Sequence, residues 1–232
     1  MTYTELINAI QSYTENVFPD TYLADGSAYT STQQLNTFIT QAEDRIYNTV
    51  LIPALRKNVT GTVTANNKYL SCPSDFLAVF SMAVIDNDGS YEYLLDKDVS
   101  FIRSAYPNPN DTNIPRYYAL FGPTVISTTI TNELSFILGP TPDQNYPVEL
   151  HYYYYPTSIT VSQTSWLGDN YAPVLLYGSL YEAYVFMKGE ADVLAMYDKK
   201  YNEALQQLIR LGGALERGDT YRDGQFKGKA AP

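Results

Sequence analysis

Apolar positions recur at helical spacing towards both ends of the chain and at strand spacing in its middle. Leu6, Ile10, Tyr13 and Val17 fall on one helical face. They follow Thr2 and Glu5, whose spacing is that of a capping box, and this predicts where the first helix starts. Pro19, Asp20 and Gly26 interrupt the pattern and predict a polar loop to about residue 30. A second pair at box spacing, Ser31 and Gln34, opens another helix. In it Leu35, Phe38, Ile39, Ala42 and Ile46 form an apolar stripe, Gln41, Asp44, Arg45 and Asn48 face away, and Pro53 ends it.

From residue 55 to 156 the period shortens. The β-branched run at 59–64 is followed by Asn66-Asn67, a turn signal, and then by Lys68-Tyr69-Leu70. Residues 78–85 form a second run, closed by Asp86-Asn87-Asp88-Gly89, with residues 91–95 returning. Asp96 or Asp98 is placed to cap a short helix containing Val99, Ile102 and Ala105, stopped by Pro107. Further strands are predicted at 116–121, 124–129, 133–138 and 148–155. In the last of these Val148, Leu150, Tyr152 and Tyr154 alternate with Glu149, His151, Tyr153 and Tyr155, as in an antiparallel strand with one buried face.

After a linker at 157–168 the helical period returns. Asp169 or Asn170 is placed to cap, and Pro173 sits where a first-turn proline is tolerated. Residues 174–188 are apolar almost all round, which predicts a central helix, and Gly189 gives a tight corner. Leu194, Tyr197, Tyr201, Ala204, Leu208, Leu211 and Leu215 then form a bundle-like seam, weakened near its end by Gly212-Gly213. Residues 216–232 hold two aromatic anchors, Tyr221 and Phe226, too few to offset their ordering entropy, so this arm is expected to be mobile or to fold only on a partner. The pattern predicts an α+β fold with four parts. These are N-terminal helices (1–54), an inserted antiparallel β module (55–156), C-terminal helices that complete a four-helix bundle (157–215) and an extended C-terminal arm (216–232).

Composition narrows the function. The 232 residues carry a net charge of −10, which repels duplex DNA, yet an acidic channel wall would let DNA slide past. One cysteine, Cys72, excludes an intrachain disulfide and a cysteine-based zinc cluster. The N-terminus lacks a signal-peptide pattern and no apolar run is long enough to span a membrane, so the expectation is a soluble protein made in the cytoplasm. Tyrosine is the outlier, with 23 residues against 9 Phe. It suits protein interfaces, although a tyrosine-rich core explains the count equally well.

The sequence carries little recognisable chemistry. His151 is the only histidine, without a second His or Cys to complete a metal site, and Gly178-Ser179-Leu180 lacks the nucleophile-elbow glycines. Asp86-Asn87-Asp88-Gly89 resembles the opening of a calcium loop but sits between strands, where it is ordinary turn chemistry. Glu43 and Asp44, adjacent on a helix, point in different directions and do not form an acid/base pair. No catalytic, cofactor-binding or metal-ligating set emerges. A carbohydrate-binding module, with rings of the run 152–155 stacking on sugars, is a second hypothesis. A hydrolase using scattered carboxylates is a third.

Several stretches resemble one family. They are Gln41-Ala42-Glu43-Asp44-Arg45-Ile46-Tyr47 running into Pro53-Ala54-Leu55-Arg56-Lys57, then Pro73-Ser74-Asp75-Phe76-Leu77, Gly139-Pro140-Thr141-Pro142 and His151-Tyr152-Tyr153-Tyr154-Tyr155-Pro156. Trp166-Leu167-Gly168-Asp169-Asn170 and Leu176-Tyr177-Gly178-Ser179-Leu180, continuing to Lys188-Gly189-Glu190, complete the series. In this order they resemble the head-to-tail adaptors of tailed bacteriophages, connectors related to tail tubular protein A. The resemblance implies a structural virion protein of the neck or tail. It implies a homo-oligomeric ring, commonly of twelve copies, docked beneath a portal protein and joined to a tail or nozzle protein, with DNA passing through the lumen. It also implies a helical ring wall, a β module facing the tail and a C-terminal arm reaching the portal. Arg217, Tyr221, Arg222, Phe226 and Lys227 are the expected portal contacts; no cofactor and no membrane partner is expected. The loops at 21–30 and 108–113 receive no role.

Overall fold

The computed structural model describes residues 1–22, 24–122, 124–126, 129–131 and 134–216. Along the chain come α1 (Tyr3–Thr14), β1 (Thr21–Tyr22), β2 (Ala28–Tyr29) and α2 (Ser31–Thr49), and then a 3-10 turn at Pro53–Leu55. Next are β3 (Arg56–Val63), β4 (Tyr69–Ser71), β5 (Phe76–Ile85), β6 (Tyr91–Tyr93), β7 (Leu95–Asp96), α3 (Val99–Ala105) and β8 (Tyr117–Phe121). β9 (Thr124–Ile126), β10 (Thr129–Thr131), β11 (Ser135–Gly139) and β12 (Tyr146–Tyr154) follow. The last elements are α4 (Ile159–Ser162), α5 (Trp166–Asn170), α6 (Ala172–Phe186) and α7 (Ala191–Glu216). The fold is α+β, and it divides into two compact units: residues 1–53 with those from 156 onward, and residues 54–155.

In the helical unit α6 is the hub, touching α1, α2, α5 and α7. Its nearly uniform apolarity explains this, because Val174, Leu175, Leu180 and Ala183 are all sealed from water. At Gly178 a side chain would meet the Ala42 Cβ at 3.1 Å and the Tyr201 ring at 3.2 Å, so the missing side chain lets α2 and α7 approach α6 closely. Thr2 and Glu5 form the capping box that their spacing predicts. The helix nevertheless stops at Thr14, where Glu15 takes a left-handed conformation. Val17 is therefore exposed, and Phe18 takes the buried place against Phe38 and Phe186.

The second box lies one residue earlier than expected: Thr30 and Gln33 cap α2. This turns Gln34 inward, where its amide donates to the carbonyls of Pro19 and Tyr29. The expected polar loop before it closes as a short hairpin, β1 with β2. The linker at 157–168 also differs. Ser158 and Ser165 cap α4 and α5, which bury Ile159 and Leu167. Asp169 and Asn170 consequently lie inside α5, and α6 starts behind Tyr171 with no side-chain cap. In α7 the seam holds through Leu208. Leu211 then turns outward while Leu205 and Gly212 turn in, the drift expected when a seven-residue pattern rides on 3.6 residues per turn.

The β unit has three layers. One sheet, ordered β3-β12-β5-β6, packs across a shared core on a second, ordered β4-β11-β8-β7. The core holds Val84, Val148, Leu150 and Tyr152 from the first sheet and Phe136, Leu138 and Tyr118 from the second. Ile102 of α3 covers the far face of the second sheet at Ala119 and Ile137. The Asn66-Asn67 turn exists, but the strands beside it do not pair: β3 joins β12 and β4 joins β11, in different sheets. Residues 91–95 likewise split, β6 pairing with β5 and β7 crossing to run parallel to β8. The strand expected at 124–129 is instead the start of a hairpin, β9 with β10.

Candidate interaction surface

The alternation in β12 aims Val148, Leu150 and Tyr152 at the core and Glu149, His151 and Tyr153 at the opposite face. Pairing then sets the neighbours. Glu149 stands between Thr60 of β3 and Ala83 of β5, and Ala83 in turn pairs with Tyr93 of β6; His151 stands between Asn58 and Ser81. Together Ser81, Ala83, Tyr91, Tyr93, Glu149 and His151 line a groove of about 260 Å³. Tyr91 and Tyr93 are 52% and 67% exposed, unusual for large rings on a sheet.

Glu149 is the hub of this face. Its carboxylate accepts from the Asn58 amide and from the Tyr91 hydroxyl, and that bond together with the carboxylate's charge raises the Tyr91 hydroxyl above its usual range. The His151 Nε2 lies 3.6 Å from Glu149 Oε1, beyond the reach of roughly 2.6–3.2 Å at which one group orients another for proton transfer. The His151 side chain is 43% exposed. Ser81, His151 and Glu149 thus share a groove without the contacts of a nucleophile and its base.

Beside the groove Tyr153 is boxed in. Arg56 donates to its hydroxyl at 2.6 Å and lies 3.8 Å over the Phe80 ring, and Phe80 meets Tyr153 edge-on. On the core side Tyr152 stacks on Phe76 and donates to Asp75 Oδ1 at 2.8 Å, while burial pushes its hydroxyl up to about 12. The Lys57 ammonium bridges to Asp75 and sits 4.0 Å over the Tyr154 ring. Tyr152, Tyr153 and Tyr154 are therefore spent on packing.

The other candidates resolve as follows. Asp86 Oδ1 accepts the backbone N–H groups of Asp88 and Ser90, and Gly89 takes a positive φ, so the calcium-like stretch is a hairpin turn. Cys72 packs beside the core and burial pushes its thiol up to about 12, leaving it a poor nucleophile. Among the described residues no three His, Cys, Asp or Glu side chains converge as metal ligands, and no helix is long and apolar enough to cross a membrane. Arg45 on α2 pairs with Glu182 of α6 and lies over the rings of Tyr181 and Tyr201, so it ties helices together. Arg217, Tyr221, Arg222, Phe226 and Lys227 lie outside the described residues.

Sequence reasoning missed the convergence of Asn58, Tyr91, Tyr93 and Glu149. The β12 alternation names the outward row, but only the strand order brings the tyrosines of β6 beside it. A family model described as SU10 adaptor protein matches residues 1–225. No curated protein matches.

Proposed function

The chain belongs to the SU10 adaptor protein family, a family of phage head-to-tail adaptors, and from that we propose that it works as a ring subunit beneath the portal, joining head to tail. As a phage adaptor its partners are other head and tail proteins, and its place is the virion neck. The observation that carries the reading is the extent of the match, 225 of 232 residues, which takes in both units.

In this reading α1, α2, α6 and α7 act as one four-helix bundle that forms the ring wall, as the central contacts of α6 favour. The exposed helix faces within 32–50 and 174–211 meet neighbouring copies, commonly twelve. The β module (55–156) faces the tail or nozzle protein with the aromatic outer face of β12, β5 and β6. The arm at 216–232 docks on the portal through Arg217, Tyr221, Arg222, Phe226 and Lys227, losing its conformational freedom only there. The net charge of −10 suits a lumen through which DNA slides without binding. The role is structural rather than catalytic, as membership of a family of structural adaptors favours.

Mass measurement of the pure protein, alone and mixed with portal rings, tests this. The expected result is a multi-subunit ring, at the latest on portal addition; a protein that stays monomeric beside portal rings overturns the proposal. The carbohydrate reading rested on the run 152–155, and the packing of Tyr152 and Tyr153 weakens it. A glycan array is expected to give no hits.

A further inference from the structure

Among the described residues the sheet β3-β12-β5-β6 ends in two strands that pair with no further strand, and the two are of unlike character. Every neighbouring pair in it is antiparallel, so β3 and β5 run one way and β12 and β6 the other. With four strands, an even number, the two terminal strands run in opposite directions. A rotation about an axis running with the strands keeps every strand's direction. Set beside an identical copy, β6 therefore meets the next copy's β3 antiparallel, and the alternation continues without a break.

The facing sheet lacks this property. There β7 pairs parallel with β8, so its terminal strands β4 and β7 run the same way, and they are three and two residues long. Short edges are one way in which sheets avoid pairing with other chains. In contrast, β3 is an eight-residue edge spanning about 26 Å, largely exposed. Between Asn58 and Val63 it carries no charge and no proline, the usual guards of a free edge. The opposite edge, β6, is exposed at all three residues. The two edges also complement each other. Tyr91 and Tyr93 of β6 share a face with the β-branched Thr60 and Thr62 of β3, a pairing of aromatic with β-branched side chains that favours antiparallel neighbours.

We propose that neighbouring copies of this chain join through these edges, β6 of one pairing antiparallel with β3 of the next, so that the β units add a continuous sheet to the ring. The proposal rests on the ring reading above and deepens it. A head-to-tail contact needs two different, complementary surfaces on each subunit, and one sheet supplies both. The three residues of β6 set the length of the shared ladder, so it supplements the helical contacts rather than replacing them.

Disulfide trapping tests it, because the single native cysteine can be removed. In a full-length Cys72→Ala background, Tyr93→Cys is combined in turn with Asn58→Cys, Thr60→Cys or Thr62→Cys, which scans the register along β3. One double variant is expected to give, on mild oxidation, a ladder of dimers, trimers and higher multiples that reductant collapses. Mixing its two single variants is expected to give linked dimers and no more. Rings of unchanged mass with no ladder from any double variant overturn the edge contact while the ring stands. Dimers from Thr60→Cys alone also overturn it, since they mean a two-fold β3–β3 pairing. Monomers in the presence of portal rings overturn the ring reading and the edge contact together.

Discussion

The two units of the chain handle polar groups in opposite ways. The helical unit draws them inside: Gln34, Glu43 and Ser179 are almost completely buried, and each finds a backbone partner, Glu43 through one of its two oxygens alone. The β unit seals Thr141 but otherwise pushes them outward, gathering Asn58, Glu149 and His151 on one sheet face among exposed tyrosines. A buried polar group must be matched at fixed positions, so it specifies one packing arrangement; an exposed one remains free to meet a partner. The difference separates a region selected to hold its own shape from one that offers a surface.

The first way to break the contrast is through the cores, where the two units should behave alike. Leu180→Ala in α6 and Phe136→Ala in β11 each empty a sealed site and should cost about 2–5 kcal/mol. Phe80→Ala on the outer sheet face should cost well under half as much, because that ring is half exposed. Urea denaturation of the three variants measures this; equal losses at Phe80 and Phe136 would remove the distinction between face and core.

Next in size is Gly178→Val. Its side chain would press on Ala42 and Tyr201 within about 3.2 Å, on a helix touched from several sides, and overpacking of this kind costs about 1–3 kcal/mol. Gly213→Val, where nothing lies within 4 Å, is the control and should change stability only through helix propensity, by less than about 1 kcal/mol. A thermal shift at Gly213 as large as at Gly178 would mean that close helix approach is not what Gly178 provides.

Much of this contrast was legible in the sequence, but unevenly. Stripes such as Leu35, Phe38, Ile39, Ala42 and Ile46 need only local periodicity, and they are buried as their spacing predicts. Asp98 caps α3 and Thr2 caps α1 for the same local reason. The failures involve distant partners. The Asn66-Asn67 turn is readable, but that it passes the chain from one sheet to the other depends on β11 and β12, some seventy residues later. Tyrosine count was equally ambiguous: Tyr47, Tyr118, Tyr146, Tyr197 and Tyr201 are core residues, while Tyr22, Tyr91 and Tyr93 are exposed. The groove at Glu149 depends on the order of strands, which no spacing encodes. Glu43 was readable only as not forming a pair with Asp44; its burial follows from the short helix α4, hidden in a stretch that reads as linker.

The contrast sharpens further at Glu43. Its Oε1 accepts the Ile159 N–H at 3.0 Å, and the residue is 2% exposed. Burial raises its carboxyl above the usual range, and the Ser158 hydroxyl and Ile159 amide offset this only in part. The folded chain therefore holds this proton more tightly than the unfolded chain. Stability falls as pH climbs from the unfolded carboxyl's range through the raised value, and the loss is complete above it. Glu43→Gln keeps an acceptor for Ile159 and removes the charge, so its urea midpoint should exceed that of the native chain at neutral pH and converge with it in acid. Glu43→Leu leaves the Ile159 N–H unmatched and should cost about 1–3 kcal/mol. A Glu43→Gln midpoint below the native one at neutral pH would show that the buried charge helps rather than hinders.

The smallest effect lies at the matching carboxylate of the β unit, and its sign is reversed. Burial alone would raise the Asp75 carboxyl, but hydrogen bonds from Lys57 and Tyr152 and the Lys57 charge outweigh it and hold the group below its usual range. Here the folded chain releases the proton more readily than the unfolded one. The stabilisation is present above the unfolded value, about 3.9, and is lost as pH falls through the depressed folded value. The Lys57 side chain is about half exposed, which screens the pair, and Asn would still accept from Tyr152. Asp75→Asn should therefore cost no more than about 1 kcal/mol at neutral pH, a cost that shrinks in high salt and vanishes in acid. Urea midpoints for the native chain, Glu43→Gln and Asp75→Asn across the carboxylate range should consequently diverge in opposite directions as pH rises. Two curves moving the same way would mean that both units treat a carboxylate alike, and that the contrast between them does not extend to buried charge.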